Sequence, residues 1–155
     1  MIQRIQTLYL LAATALMALV FFLPLMGFST EQGTSLFYSY KLVDSEGIST
    51  SSPWYLMFLV LMAGVIPFGT IFRYKNRLLQ IRMCVVSMVL MGGSIAMLAF
   101  YCYRFYTLFA AQSEVFAASF KLTLVCPFAA LLFTWLAMRA IFRDEMLVRA
   151  ADRIR

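Results

Sequence analysis

The run from Leu8 to Phe28, LYLLAATALMALVFFLPLMGF, carries no charge and offers only the hydroxyls of Tyr9 and Thr14 as polar side-chain groups. A helix rises 1.5 Å per residue and needs about 20 apolar residues to cross roughly 30 Å of hydrocarbon, so this run reads as a membrane span. Three further stretches repeat the pattern. Together they place spans at about residues 5–28, 54–72, 83–104 and 121–142 of a single domain covering 1–155, followed by a cytoplasmic helical tail, 143–155. The last apolar run, Leu122 to Met138, is the shortest, and its final turn crosses if Arg139 bends its guanidinium towards the headgroups. The fold class expected is therefore an all-α membrane protein, a bundle of four transmembrane helices with a short extracytoplasmic hairpin-like loop. Composition agrees, because 63% hydrophobic and 13% charged residues depart far from the quarter charged that soluble chains carry. The first span is expected to be retained, since it is longer than a signal core and ends in Pro24-Leu25-Met26-Gly27-Phe28 without a small-x-small cleavage site.

Orientation follows from the thirteen Lys and Arg. With four spans, Arg4, the connector Arg73–Arg82 and the tail from Arg139 share one side, which then holds ten cations against Lys41, Arg104 and Lys121 on the other. Ten against three in short loops predicts cytoplasmic termini. Ten cations with three acids give +7 inside, and three cations with four acids give −1 outside. A gradient of this kind reads as a topology signal plus attraction to anionic lipid headgroups, not as a nucleic-acid surface.

Outside, Leu36 to Val43 is rich in aromatic and β-branched residues, and Asp44-Ser45-Glu46-Gly47 supplies turn chemistry before Ile48, which predicts a short hairpin. Ser52-Pro53 reads as an N-cap and first-turn proline opening the second span. The aromatic group Phe100 to Tyr106 reads as an anchor in the outer headgroups.

Within the spans no ionisable residue approaches a midplane, and proton-coupled transport would need one. Pro24, Pro67 and Pro127 each remove a backbone bond and are expected to bend three helices. Gly92, Gly93 and Ser94 form a small-residue patch expected to mark helix packing. With no histidine in the chain, the commonest general base and metal ligand is missing. No C-x-x-C joins Cys84, Cys102 and Cys126, which are expected as free, packed thiols.

The residues best able to meet a partner lie at the cytoplasmic rim. In the connector they are Arg73, Lys75, Asn76, Arg77, Gln80 and Arg82; in and before the tail they are Arg139, Asp144, Glu145, Arg149, Asp152 and Arg153. The tail continues at helical period, with Glu145 four residues before Arg149 in the favourable order.

Three segments, Met1 to Leu11, Lys75 to Arg82, and the ending with Arg139-Ala140-Ile141, Asp144-Glu145, Leu147-Val148-Arg149 and Asp152-Arg153, resemble a family of small bacterial four-helix inner-membrane proteins known only as a domain of unknown function. The resemblance spans the chain and is most specific in the connector and tail. It implies a bacterial inner-membrane address and no activity, so it carries over no catalytic residue. The function expected is that of a non-enzymatic subunit or accessory protein of a membrane complex, with no cofactor. Its expected partners are anionic lipid headgroups at the cytoplasmic rim and another membrane protein or a second copy. The alternative is an uncoupled transporter or channel for a lipid-like or small substrate. An enzyme ranks last, because the arginines and hydroxyls are scattered.

Overall fold

The computed structural model describes residues 2–30, 33–43, 49–73, 76–112 and 116–152. Four long helices form: α1 (Ile2–Phe22), α2 (Trp54–Phe72), α3 (Arg77–Gln112) and α4 (Cys126–Asp152), the last entered through a 3-10 turn at Leu122–Val125. They close a ring in which α1 and α3 each pack against both α2 and α4. Five short strands, β1 (Met26–Thr30), β2 (Gly33–Phe37), β3 (Leu42–Val43), β4 (Ser49–Ser51) and β5 (Phe116–Phe120), make one sheet in the order β4-β3-β2-β1-β5. All its pairings are antiparallel. The connectivity sets the sheet at one end of the ring, and the start of α1, the end of α4 and the junction of α2 with α3 at the other.

Span one is shorter than its charge-free run. Pro24 has no N–H to give the Val20 carbonyl, so α1 stops at Phe22 and Pro24 breaks the chain instead of bending a helix. One of the carbonyls left over at this helix end, that of Phe21, accepts the hydroxyl of buried Ser39 at 3.3 Å. The chain then turns extended, with Leu25 donating to the Phe37 carbonyl at 2.8 Å and accepting from Lys121 at 3.2 Å. This begins the ladders that pair Met26 with Phe37 on one side and with Phe120 on the other.

The expected hairpin is part of this larger sheet, and its turn falls elsewhere. Leu36 to Val43 is not one strand but the end of β2, a turn closed by Tyr38 N–H donating to Lys41 at 2.8 Å, and β3. The Asp44–Gly47 turn lies outside the described residues. The Ser52 hydroxyl donates to the Tyr40 carbonyl at 3.0 Å, while Pro53 itself is the N-cap of α2, with no side-chain cap. Pro127 is the second residue of α4, where its missing N–H costs nothing. Only Pro67 lies inside a helix interior.

Helix α3 has 36 residues, about 54 Å at 1.5 Å each, well beyond the span expected at 83–104. Its last turns carry the sheet. Phe105 is buried and meets Phe37 with ring centroids 5.0 Å apart; Phe109 stacks on buried Phe28 at 4.8 Å. The aromatic group around Tyr101 is thus divided, with Phe105 under the sheet and Phe100, Tyr103 and Tyr106 exposed.

The bundle is apolar outside and partly polar inside. In each of the four apolar helical windows only 28% of the residues are buried within the chain. Leu8, Phe58, Val89 and Leu132 are exposed while Ser87, Ser94 and Thr134 are buried. The hydroxyls of Ser94 and Thr134 donate to carbonyls of their own helices, those of Met91 at 2.7 Å and Ala130 at 2.8 Å, which spares them the cost of an unpaired polar group away from water.

Candidate functional site

At the connector end, backbone bonds tie the end of α2 to the start of α3. Arg73 N–H donates to Thr70 and Asn76 N–H to Arg73, each at 3.1 Å, and Gln80 N–H to Asn76 at 3.0 Å. The last carbonyls of a helix lack partners, and the Thr70 carbonyl takes a second bond, from the buried Gln80 Nε2 at 3.2 Å. Thr70 itself donates its hydroxyl to Ile66 at 2.7 Å. Gln80 therefore fastens α3 to the end of α2, with its side chain buried.

Across the ring, α4 runs on through Asp152 and meets the start of α3. Arg77 Nη1 lies 3.3 Å from Asp144 Oδ2 and donates to the Asp144 carbonyl at 3.4 Å. The side chain of Asp144 is only 14% exposed, so its carboxylate depends on this neighbour for much of the solvation that water would otherwise give. Beside the pair is a cleft of about 440 Å³ lined by Asn76, Arg77, Leu78, Leu79, Arg82 and Glu145. It brings Arg82 and Glu145 together beside the Arg77–Asp144 pair, so the two arginines there are matched by two carboxylates.

The remaining rim residues are dispersed. Arg73 and Arg82 are exposed, and the Arg139 guanidinium sits 5.6 Å from the Trp135 ring one turn back. Arg149 and Asp152 belong to α4, while Lys75 and Arg153 lie outside the described residues. Thr70 and Gln6 were not legible as rim residues. Among the described residues, Gln6 Nε2 and the Ser87 hydroxyl are buried without a hydrogen-bond partner, and no group of three or more Cys, Asp or Glu gathers. Cys84, Cys102 and Cys126 are free thiols.

In the mid-bundle patch the three residues differ in their surroundings. A Cβ on Gly92 would meet no atom within 4 Å, and one on Gly93 only the Leu59 side chain at 3.8 Å. Ser94 alone is buried. A tighter approach between helices falls at Gly64 on α2, whose Cβ would stand 3.3 Å from Met17 Cβ on α1.

The Arg77–Asp144 bridge joins residues of α3 and α4 that are 67 positions apart, so its strength is measurable by a double-mutant cycle. With Arg77 28% exposed, we expect Arg77→Gln and Asp144→Asn to show a coupling of about 0.5–1 kcal/mol in denaturant unfolding. A coupling of zero would mean that the bridge does not hold the two helix ends together.

No curated protein matches the chain. Residues 2–154 match the family described as Domain of unknown function (DUF4293), and the chain belongs to that family.

Proposed function

We propose that the protein is a multi-pass component of the bacterial inner membrane, with both termini and the connector in the cytoplasm. In this reading it acts as a non-enzymatic subunit or accessory protein of a membrane complex. The observation that carries the proposal is the inverted surface: helices with only 28% of their apolar windows buried leave a belt of Leu, Val and Phe that water would not tolerate at this extent. The ten cations at the connector end against three at the sheet end support the orientation, and they favour anionic headgroups there. The accessory role is supported by where the reachable polar groups lie. The Arg77–Arg82 cleft and the sheet are at opposite ends of the bundle, where partners on either side of a membrane reach them.

Two measurements on one strain test this. Single cysteines at exposed Ser29 and at Asn76, in a background lacking Cys84, Cys102 and Cys126, are expected to label from opposite sides with an impermeant maleimide. Ser29→Cys should react in cells with only the outer membrane opened, and Asn76→Cys only after lysis. Labelling from the same side overturns the topology. After mild detergent extraction the protein should co-purify with a second membrane protein, and replacing Arg73, Lys75, Arg77 and Arg82 together by Gln should release it. A single species without partner, unchanged in size by the quadruple substitution, overturns the accessory role.

A further inference from the structure

We propose that the groove between α2 and α3 at the connector end is a site for one anionic phospholipid, with the phosphate on Arg73 and an acyl chain in the notch at Gly69. The proposal rests on the membrane reading above. The groove, about 280 Å³, is lined by Val65, Ile66, Gly69, Thr70, Arg73 and Met83. Its chemistry is ordered along the helix: apolar side chains come first, and the single cation follows directly after Phe72, the last residue of α2.

Three features favour this occupant. A Cβ on Gly69 would meet nothing within 4 Å, so the chain leaves the notch open instead of filling it with its own side chains. Thr70 does not compete for the ligand, because its hydroxyl is held by Ile66 and its carbonyl by Arg73 N–H and Gln80. Arg73 is exposed and among the described residues makes no ion pair. A guanidinium presents a fork of donors matched to phosphate oxygens. It stands where the apolar helix ends, which is the depth of the headgroup phosphate when α2 spans the bilayer. A soluble anion would use the cation and leave the apolar walls wet. A zwitterionic lipid would use the walls but bring a cation of its own beside its phosphate, which opposes Arg73. An anionic lipid satisfies both.

The test is native mass spectrometry of the full chain in mild detergent with equimolar phosphatidylglycerol and phosphatidylcholine. The parent should retain phosphatidylglycerol with about a fivefold preference, the ratio that corresponds to about 1 kcal/mol for one surface cation. Arg73→Gln should bring the two lipids to parity and Arg73→Lys should restore most of the preference, while Gly69→Leu, which fills the notch, should lower retention of both lipids. Glycerol phosphate added without acyl chains should not compete; full competition would make the groove a soluble-anion site and overturn the proposal. A preference unchanged in Arg73→Gln, or retention unchanged in Gly69→Leu, also overturns it. Alkaline carbonate extraction separates the two levels. A parent released from membranes by carbonate fails the membrane reading, whereas a parent that stays in the membrane and shows no headgroup preference overturns the lipid site alone.

Discussion

Phe28→Ala is expected to detach the sheet from the bundle at a cost of about 3–5 kcal/mol. Phe28 is fully buried in β1 and stacks on Phe109 of α3 at 4.8 Å with a 16° angle between rings. Strand β1 is hydrogen-bonded on both sides, to β2 and to β5, so displacing it removes the seam that joins the α1–α2 excursion to the α3–α4 excursion. The truncation empties the volume of a ring between a strand and a helix end that cannot both collapse onto it. Phe28→Leu keeps most of the buried area and loses the ring contact, so it should cost about 0.5–1.5 kcal/mol for the stack, in addition to a small area term. Hydrogen exchange at the amides of β1 and β2 reads the effect locally, where global unfolding in detergent would dilute it. Protection that survives Phe28→Ala would show that the sheet is held by something other than its seat on α3.

Why this sheet was not legible follows from what charge-free length measures. The distance from Arg4 to Glu31 bounds a span but does not say where a helix ends within it. Residues 26–30 are as free of charge as residues 8–22. The usable signal was Pro24: it withholds a bond from Val20 and disfavours helix at Leu23, and Gly27, Ser29 and Thr30 beyond it are poor helix formers. Strand β5, Phe-Ala-Ala-Ser-Phe, has neither strong alternation nor β-branching, and forms because β1 offers it a ladder 86 residues earlier, at Thr30 paired with Phe116. Helix α2 was legible to its ends, since Pro53 and Arg73 bracket it in sequence as they do in space.

At the connector end, Arg77, Gln80 and Asp144 stood out because polar groups beside apolar runs are conspicuous. Their pairing did not, because a single Thr70 in a membrane-like run looks like any other tolerated hydroxyl, and because Asp144 reaches Arg77 only once the ring has closed. The glycines posed a different difficulty. When the outside of a bundle is as apolar as its inside, no stripe of polarity marks which face of a helix meets another, and a small residue reads the same in either direction.

That ambiguity is resolved by substitutions of opposite sign. Gly64→Val is expected to destabilise the bundle by about 1–3 kcal/mol, and Gly92→Ala to stabilise it by up to about 1 kcal/mol. At Gly64 the first added carbon lands 3.3 Å from Met17 Cβ, an atom fixed to the backbone of α1 and itself fully buried, so α1 must yield. Valine is the informative choice because Gly64 also borders an apolar groove of about 350 Å³. A leucine there can send its outer carbons into that groove, whereas a β-branched side chain is stiff at χ1 and keeps its bulk against α1. At Gly92 the new methyl meets nothing within 4 Å, so the substitution removes the entropic penalty of a mid-helix glycine without a clash. Unfolding of the two variants in the same detergent decides the matter. A loss of stability in Gly92→Ala would place an unseen neighbour against α3 at mid-bundle, as a second copy or partner helix would be, while an unperturbed Gly64→Val would mean that α1 and α2 separate there at no cost and that the ring is held together elsewhere.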